Sequence, residues 1–188
     1  MEIPLKRRRN AAATREAILQ SAVVAFTRSG YDGVGVREIA EAAGVTAMLV
    51  NRYFGSKEQL FAEVVDVSFA PRTVVGSDVA TLAHDVAAAL VGKTASEAAH
   101  LDPFLLMLRS ASNPRAAEIT RAGIERHVGR HLTDLLPGEE AGERAELFLA
   151  LISGFWLMRK VLGTTALSAA DAASLAQRLE AVFELLVD

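Results

Sequence analysis

The sequence predicts an all-α protein. No stretch sustains the period-2 alternation of β-branched and aromatic residues that a half-buried strand needs. Apolar residues recur instead at helical spacing from Ile18 to Leu186. Capping residues, prolines and glycines punctuate these stripes where helices start and stop. The composition agrees: of 188 residues, 51% are hydrophobic and 23% charged, a globular balance that excludes a disordered or collagen-like chain. At roughly 150 residues per domain the length suits one or two domains. The absence of cysteine excludes a disulfide framework, a thiolate metal site and a cysteine nucleophile.

Residues 1–11 read as a basic flexible arm carrying Lys6, Arg7, Arg8 and Arg9. Ile18, Ala22, Ala25 and Phe26 then form the first apolar stripe, which Gly30 stops. Val36, Ile39, Ala40 and Ala43 form a shorter stripe ended by Gly44, and Thr46 is placed to cap a third short helix ending near Phe54. Ser56 with Gln59 matches the S-x-x-Q capping box. The helix it opens turns Leu60, Phe61, Val64 and Val65 inward, and Pro71 ends it. Residues 70–76 read as a joint between a unit over 12–70 and another over 77–188.

In the second unit, the alanine-rich stretch from Ala87 to Ala99 keeps a helical pattern, and Asp102-Pro103 and Asn113-Pro114 each set a capping side chain before a first-turn proline. Pro137-Gly138 breaks the chain before a long helix from about Glu140 to Leu162, stopped by Gly163. Ser168 with Asp171 resembles another capping box and opens the last helix, which carries Leu175, Leu179, Val182 and Leu186 on one face. The run Leu147–Met158 is too short for a membrane span, which needs about 18 apolar residues, and reads as a buried helix. The basic N-terminus leads into no apolar h-region, so no signal peptide is expected and the chain is placed in the cytoplasm.

Charge divides unevenly. Met1–Lys57 carries nine Lys/Arg against five Asp/Glu, a net +4, which leaves −7 for the remainder of a chain whose total is −3. A positive front end on an acidic body points to a polyanionic partner. The two short helices near residues 35–54, joined through Gly44, follow the helix-turn-helix plan. Val50 and Phe54, one turn apart, face inward, while Ala47, Met48, Asn51 and Arg52 occupy the other faces. A reader of duplex DNA needs that division between an apolar back and a front that enters the major groove. Arg binds guanine bidentately, Asn binds adenine, and small apolar groups meet thymine methyls. Tyr53 and Lys57 flank the helix in positions suited to phosphate, and Arg37 adds charge on the preceding helix. Arg7 and Arg8, on the arm, are placed to track phosphates or the minor groove.

Gly30-Tyr31, then Val36-Arg37-Glu38-Ile39-Ala40-Glu41-Ala42-Ala43-Gly44-Val45-Thr46, then Tyr53-Phe54-Gly55-Ser56-Lys57-Glu58-Gln59-Leu60-Phe61, resembles the TetR family of bacterial transcription regulators over residues 12–70. The resemblance implies an all-helical homodimer. Three N-terminal helices bind DNA, a fourth connects, and a larger C-terminal domain binds a small molecule and dimerises through its last two long helices. Most such proteins are repressors, released when ligand shifts the connecting helix. By position, Thr46 opens the recognition helix, and Tyr53 and Lys57 match phosphate contacts. The family often has Thr or Ser where Val34 and Gly35 stand, a common Gly at Met48 and a common Tyr at Asn51. The operator sequence therefore does not carry over from relatives.

For the effector, Phe104, Met107, Leu108, Phe148, Ile152, Phe155 and Trp156 are candidates to line a cavity, with Arg109 and His127 as polar groups, and plain core packing is the competing reading. The shortage of buried polar candidates favours an apolar or aromatic effector. His127 and His131 share a helix face but lack an evident third ligand, so no metal and no cofactor is implied. Small residues Ala150, Ser153 and Gly154 permit close helix approach along the nearly all-apolar long helix, and one chain does not easily cover both that helix and the Leu/Val face of the last one. A four-helix contact across a two-fold axis is expected. Two other readings stay open. A protein-binding helical module leaves the cluster of Arg52, Tyr53 and Lys57 unexplained. An enzyme is opposed by the absence of G-x-S-x-G, H-E-x-x-H and P-loop motifs.

Overall fold

The computed structural model describes residues 5–70, 78–95 and 103–187, with side chains from residue 11 onward. In chain order the helices are α1 (Leu5–Ser29), α2 (Val36–Ala42), α3 (Ala47–Phe54), α4 (Lys57–Phe69), α5 (Val79–Thr94), α6 (Pro103–Ser110), α7 (Pro114–Ile124), α8 (Arg130–Leu135), α9 (Ala141–Trp156), α10 (Thr165–Ala169) and α11 (Ala172–Val187). Wider π turns, Glu125–Gly129 and Leu157–Val161, follow α7 and α9. The described residues contain no strand, as the sequence predicts.

Helix α1 starts earlier than the sequence reading placed it. The backbone from Leu5 is already helical, so the segment read as a flexible arm up to residue 11 is largely the first turns of α1. The side chains of Arg7 and Arg8 lie outside the described residues. So do residues 71–77 of the expected joint, residues 96–99 and the Asp102 cap.

The chain forms two compact units, and they do not divide where the sequence suggested. The first unit joins the chain up to Phe69 with residues 101–123, which bring in α6 and most of α7. Ile18, Ala22 and Phe26 of α1, Ile39 of α2, Leu60, Phe61 and Val64 of α4, and Leu106 of α6 are buried in it. The Phe26 and Phe61 rings meet edge-on at 5.1 Å, and Tyr31 stacks on Phe26 at 6.1 Å. Polar bonds fasten the α6–α7 corner to the rest of this unit. Arg109 donates to the Thr27 carbonyl at 2.7 Å, the Tyr31 amide donates to Ser110 Oγ at 3.1 Å, and Asn113 Nδ2 donates to both Asp32 carboxylate oxygens at 2.9 and 3.1 Å. On α7, Gly123 comes so close to Val65 of α4 that an added Cβ would lie 2.3 Å from its methyl group. These pairings span roughly 60 to 80 residues of sequence, a separation at which local patterning carries no signal.

The second unit contains α5, the first π turn, α8, α9, α10 and α11. Leu82, Val86 and Leu90 of α5, Leu132 of α8, Phe148 and Ile152 of α9 and Phe183 of α11 form its core, with the Phe148 and Phe183 rings stacked at 4.3 Å. Two arginines satisfy chain ends within it. Arg144 donates to the carbonyls of Leu186 and Val187 at 3.2 Å and also to Pro137, tying the last turn of α11 to the turn before α9. Arg159 donates to Val91 O at 2.8 Å and Thr94 Oγ1 at 3.0 Å, closing the C-terminus of α5, where a cation also complements the helix dipole.

The last helix starts differently from the expectation. Asp171 is itself the cap, accepting from the Ser174 amide at 2.9 Å, while Ser168 sits inside α10 with its amide on the Thr164 carbonyl. The expected box put Asp171 three residues inside the helix, and one acceptor at the right register decides the start instead. Ser56 makes half of its expected box: its hydroxyl accepts from the Gln59 amide at 3.2 Å, but its own amide bonds to the Phe54 carbonyl.

Candidate nucleic-acid interface

Helix α2 starts at Gly35, whose amide donates to Glu38 Oε2 at 2.7 Å. The carboxylate satisfies the N-cap amide from the first turn, the half of a capping box that a residue at N3 supplies, while Gly35 has no side chain to supply the other half. The helix ends in a Schellman arrangement: Val45 N bonds Ala40 O at 2.9 Å, Gly44 N bonds Glu41 O at 3.0 Å, and Gly44 takes φ +67°. That positive φ turns the chain sharply and aims α3. Thr46 stands at the α3 N-cap, but its hydroxyl makes no capping bond, so the expectation of a side-chain cap fails there; the Thr46 carbonyl accepts from Leu49 at 2.9 Å and Val50 at 3.3 Å. Thr46 is itself exposed.

Helix α3 divides as its sequence predicts. Val50 and Phe54 are buried at 1% and 4% exposure, whereas Met48 is 80% exposed. Asn51 and Arg52 are exposed beside it, and Ala47 and Tyr53 are half-buried. Arg37 projects from α2, also exposed. The structure therefore brings Arg37, Thr46, Ala47, Met48, Asn51, Arg52, Tyr53 and Lys57 onto one helix-turn-helix and the start of α4. One brace escaped the sequence reading: the Arg15 guanidinium lies 4.7 Å over the Phe54 ring and pairs with Glu63, joining α1, α3 and α4.

Lys57 opens α4. Its ammonium lies 4.3 Å over the Tyr31 ring, which itself packs on Phe61 at 5.0 Å. The attraction between a cation and the face of an aromatic ring holds the ammonium in a defined position.

The expected effector residues fall into two groups. Phe104, Met107, Leu108 and Arg109 lie on α6 in the first unit, whereas His127, Phe148, Ile152, Phe155 and Trp156 belong to the second. Arg109 donates to the α1 carbonyl of Thr27 and so fastens α6. Phe148, Ile152 and Trp156 are buried, at 0%, 2% and 4% exposure, and Phe148 is engaged in its stack with Phe183. Phe155 is half-buried with the Arg159 guanidinium 6.0 Å from its ring. A cavity of about 320 Å³ in the second unit is lined by other residues: Val79, Ala83, His84, Glu180, Glu184 and Val187 among them. Among the described residues no three metal-ligating side chains converge, at His127 and His131 or elsewhere. No described helix is long and apolar enough to cross a membrane.

Comparison with known proteins bears on both units. Residues 18–64 match the family described as bacterial regulatory proteins, tetR family, and residues 80–187 match the tetracyclin repressor-like C-terminal domain. The HTH-type transcriptional repressor KstR of Rhodococcus jostii is 30% identical over 181 residues, covering 92% of this chain and 82% of KstR. The HTH-type transcriptional regulator RutR of Escherichia coli K12 is 37% identical over 82 residues, 42% of this chain, and the match spans only 39% of RutR. A TetR-family regulator from Streptomyces coelicolor A3 superposes with a TM-score of 0.58 at 24% identity over 94% of this chain and 95% of its own, a likeness of fold.

Proposed function

The chain belongs to the TetR family of bacterial regulatory proteins, and from that premise we propose that it is a cytoplasmic transcriptional repressor that binds a pseudo-palindromic operator as a homodimer and is released by a small-molecule effector. One observation carries the DNA reading. A short helix with a buried Val50–Phe54 back presents Met48, Asn51 and Arg52 outward, bounded by Tyr53 and Lys57. Neither an enzyme nor a protein-binding module accounts for that division, and TetR-family proteins are non-enzymatic regulators. Repression rather than activation is supported by KstR, a repressor similar over nearly the whole chain.

The dimer is assigned to α9 and α11. Leu147, Ala150, Leu151, Gly154, Met158, Val161 and Leu162 follow one face of α9 and its π turn, all exposed in the protomer and opposite the buried Ala145, Phe148, Ile152 and Trp156. Val182 and Leu185, at 42% and 77% exposure, extend that surface onto α11. An exposed apolar patch of this kind marks an association face. In the dimer the two α3 helices stand about 34–36 Å apart, or a multiple of that, to meet successive major grooves. The effector, apolar or aromatic in character, binds one conformation of the second unit better and shifts the population away from that spacing.

Selection of genomic fragments by the purified protein, repeated with candidate metabolites, tests this directly. Recovered sites should share a two-fold symmetric sequence, and one metabolite should release them; fragments recovered at random at every salt concentration sink the operator reading. Within a recovered site, Arg52→Ala should cost roughly 1–3 kcal/mol and relax preference at one base pair per half-site. Lys57→Ala should weaken binding to all sequences alike and reduce the salt slope by about one charge per protomer. An unchanged slope removes Lys57 from the phosphate contacts.

A further inference from the structure

Arg115 belongs to α7, outside the segment that sequence assigns to DNA binding, yet it reaches the start of α4. Its Nε donates to Glu58 Oε2 at 3.2 Å, and its Nη1 donates to Glu118 Oε2 at 2.7 Å. Glu58 is the residue after Lys57, in the first turn of α4. Both converge on Tyr31: the Lys57 ammonium sits over its ring, and the Glu58 charge acts on its hydroxyl. That hydroxyl is pushed above its ordinary pKa first by burial, then by Glu58 and Asp32, while Arg115 pulls it back. A phosphate-facing lysine therefore shares its neighbourhood with two carboxylates, and each is held from the α6–α7 corner: Asp32 by Asn113, Glu58 by Arg115.

A free carboxylate beside a phosphate contact repels the backbone, and at about 0.1 M salt charges closer than the Debye length of roughly 10 Å still act on one another. We propose that Arg115 is a positioning residue for DNA binding: by pairing with Glu58, as well as with Glu118, it offsets part of the charge of the carboxylate next to Lys57, so that the start of α4 presents less negative charge to phosphate. This rests on the reading of α2, α3 and Lys57 as the DNA face. An exposed ion pair contributes little to folding, and both partners here are about half exposed. The α7 residue consequently acts on affinity rather than on stability.

The probe is a fluorescein-labelled duplex of about 30 base pairs and arbitrary sequence, bound by the full chain at several salt concentrations, since phosphate contacts carry non-specific binding too. Arg115→Gln should weaken binding about three- to tenfold at low salt and flatten the salt dependence by up to about one charge per protomer. Arg115→Lys should lose less, Glu58→Gln alone should bind no worse than the wild type, and the double variant Arg115→Gln/Glu58→Gln should return to within about twofold of it. Thermal unfolding of all four should coincide. If Arg115→Gln binds like the wild type, the screening role is wrong. If the double variant stays as weak as Arg115→Gln, Arg115 acts other than through Glu58 and the proposal is equally lost. Failure of the wild-type chain itself to retain the duplex overturns the underlying DNA reading instead, a result readily told apart from the other two.

Discussion

Gly154→Glu is expected to split the dimer while leaving the protomer at least as well folded. Gly154 lies in the last turn of α9, which the π turn continues; it is exposed, and a Cβ built on it meets nothing within 4 Å of its own chain. Glycine inside a helix costs about 1 kcal/mol relative to alanine, and glutamate is a good helix former, so the substitution stabilises the isolated helix by roughly 0.5–1 kcal/mol. If the stripe from Leu147 to Leu162 packs against its copy, the same carboxylate is buried without a partner and faces its symmetry mate. An unpaired buried charge costs roughly 3–5 kcal/mol, which raises the dimer dissociation constant by about two to four orders of magnitude. Sedimentation at micromolar concentration should then report monomers, with the helical circular dichroism signal retained. Affinity for a two-half-site operator should fall in parallel, because each monomer contributes only half the phosphate contacts.

Gly142 provides the control. It too is exposed on α9 with nothing within 4 Å of its built Cβ, but it lies off the stripe, nearly opposite Leu147. Gly142→Glu, in the first turn of α9 where the helix dipole also favours a carboxylate, should stabilise the helix and remain dimeric. A dimer that survives Gly154→Glu, or one lost equally to Gly142→Glu, rules out the α9 stripe as the subunit contact.

The legibility of this chain in sequence follows the range of the interactions involved. The helix-turn-helix was readable because each of its decisions is local. Val50 and Phe54 are one turn apart, Gly44 follows the last residues of α2, and the outward-facing Asn51 and Arg52 occupy intervening positions of α3. Local rules also placed the end of α1 at Gly30 and, near Gly163, the end of the helical run formed by α9 and its π turn, both glycines having positive φ. They failed wherever a choice between equivalent local signals was settled elsewhere. Asp171 and Ser168 both looked like capping residues, and only the backbone register of α11 selects Asp171. Arg109 looked like a polar group for a pocket, but the α1 carbonyl it satisfies is 82 residues away. The assignment of α6 and α7 to the first unit rests on contacts such as Gly123 with Val65 and Asn113 with Asp32, which no periodicity announces.

Gly30→Ala should destabilise the first unit by about 3–4 kcal/mol, and the reason is the seating of α6. Gly30 ends α1 at φ +71°, and a Cβ there would lie 2.2 Å from the Arg109 carbonyl oxygen and 2.8 Å from its carbon. Both are backbone atoms, so no rotamer change relieves the clash and α6 must withdraw. Withdrawal stretches the Arg109–Thr27 and Tyr31–Ser110 bonds, each contributing roughly 1 kcal/mol, in addition to about 1–2 kcal/mol for a left-handed residue with a side chain. Gly44 isolates that last contribution. Its φ is nearly the same, +67°, but its Cβ meets nothing within 4 Å, so Gly44→Ala should cost only about 1–2 kcal/mol. The comparison is made by denaturant unfolding at constant m, followed by circular dichroism and by the emission of Tyr31 and Tyr53, which both lie in the first unit. A midpoint loss for Gly30→Ala about twice that for Gly44→Ala supports α6 as an integral part of the DNA-reading unit. Equal losses at the two glycines mean that α6 does not press on the end of α1, and the polar fastening of Arg109 and Ser110 contributes nothing measurable to holding that unit together.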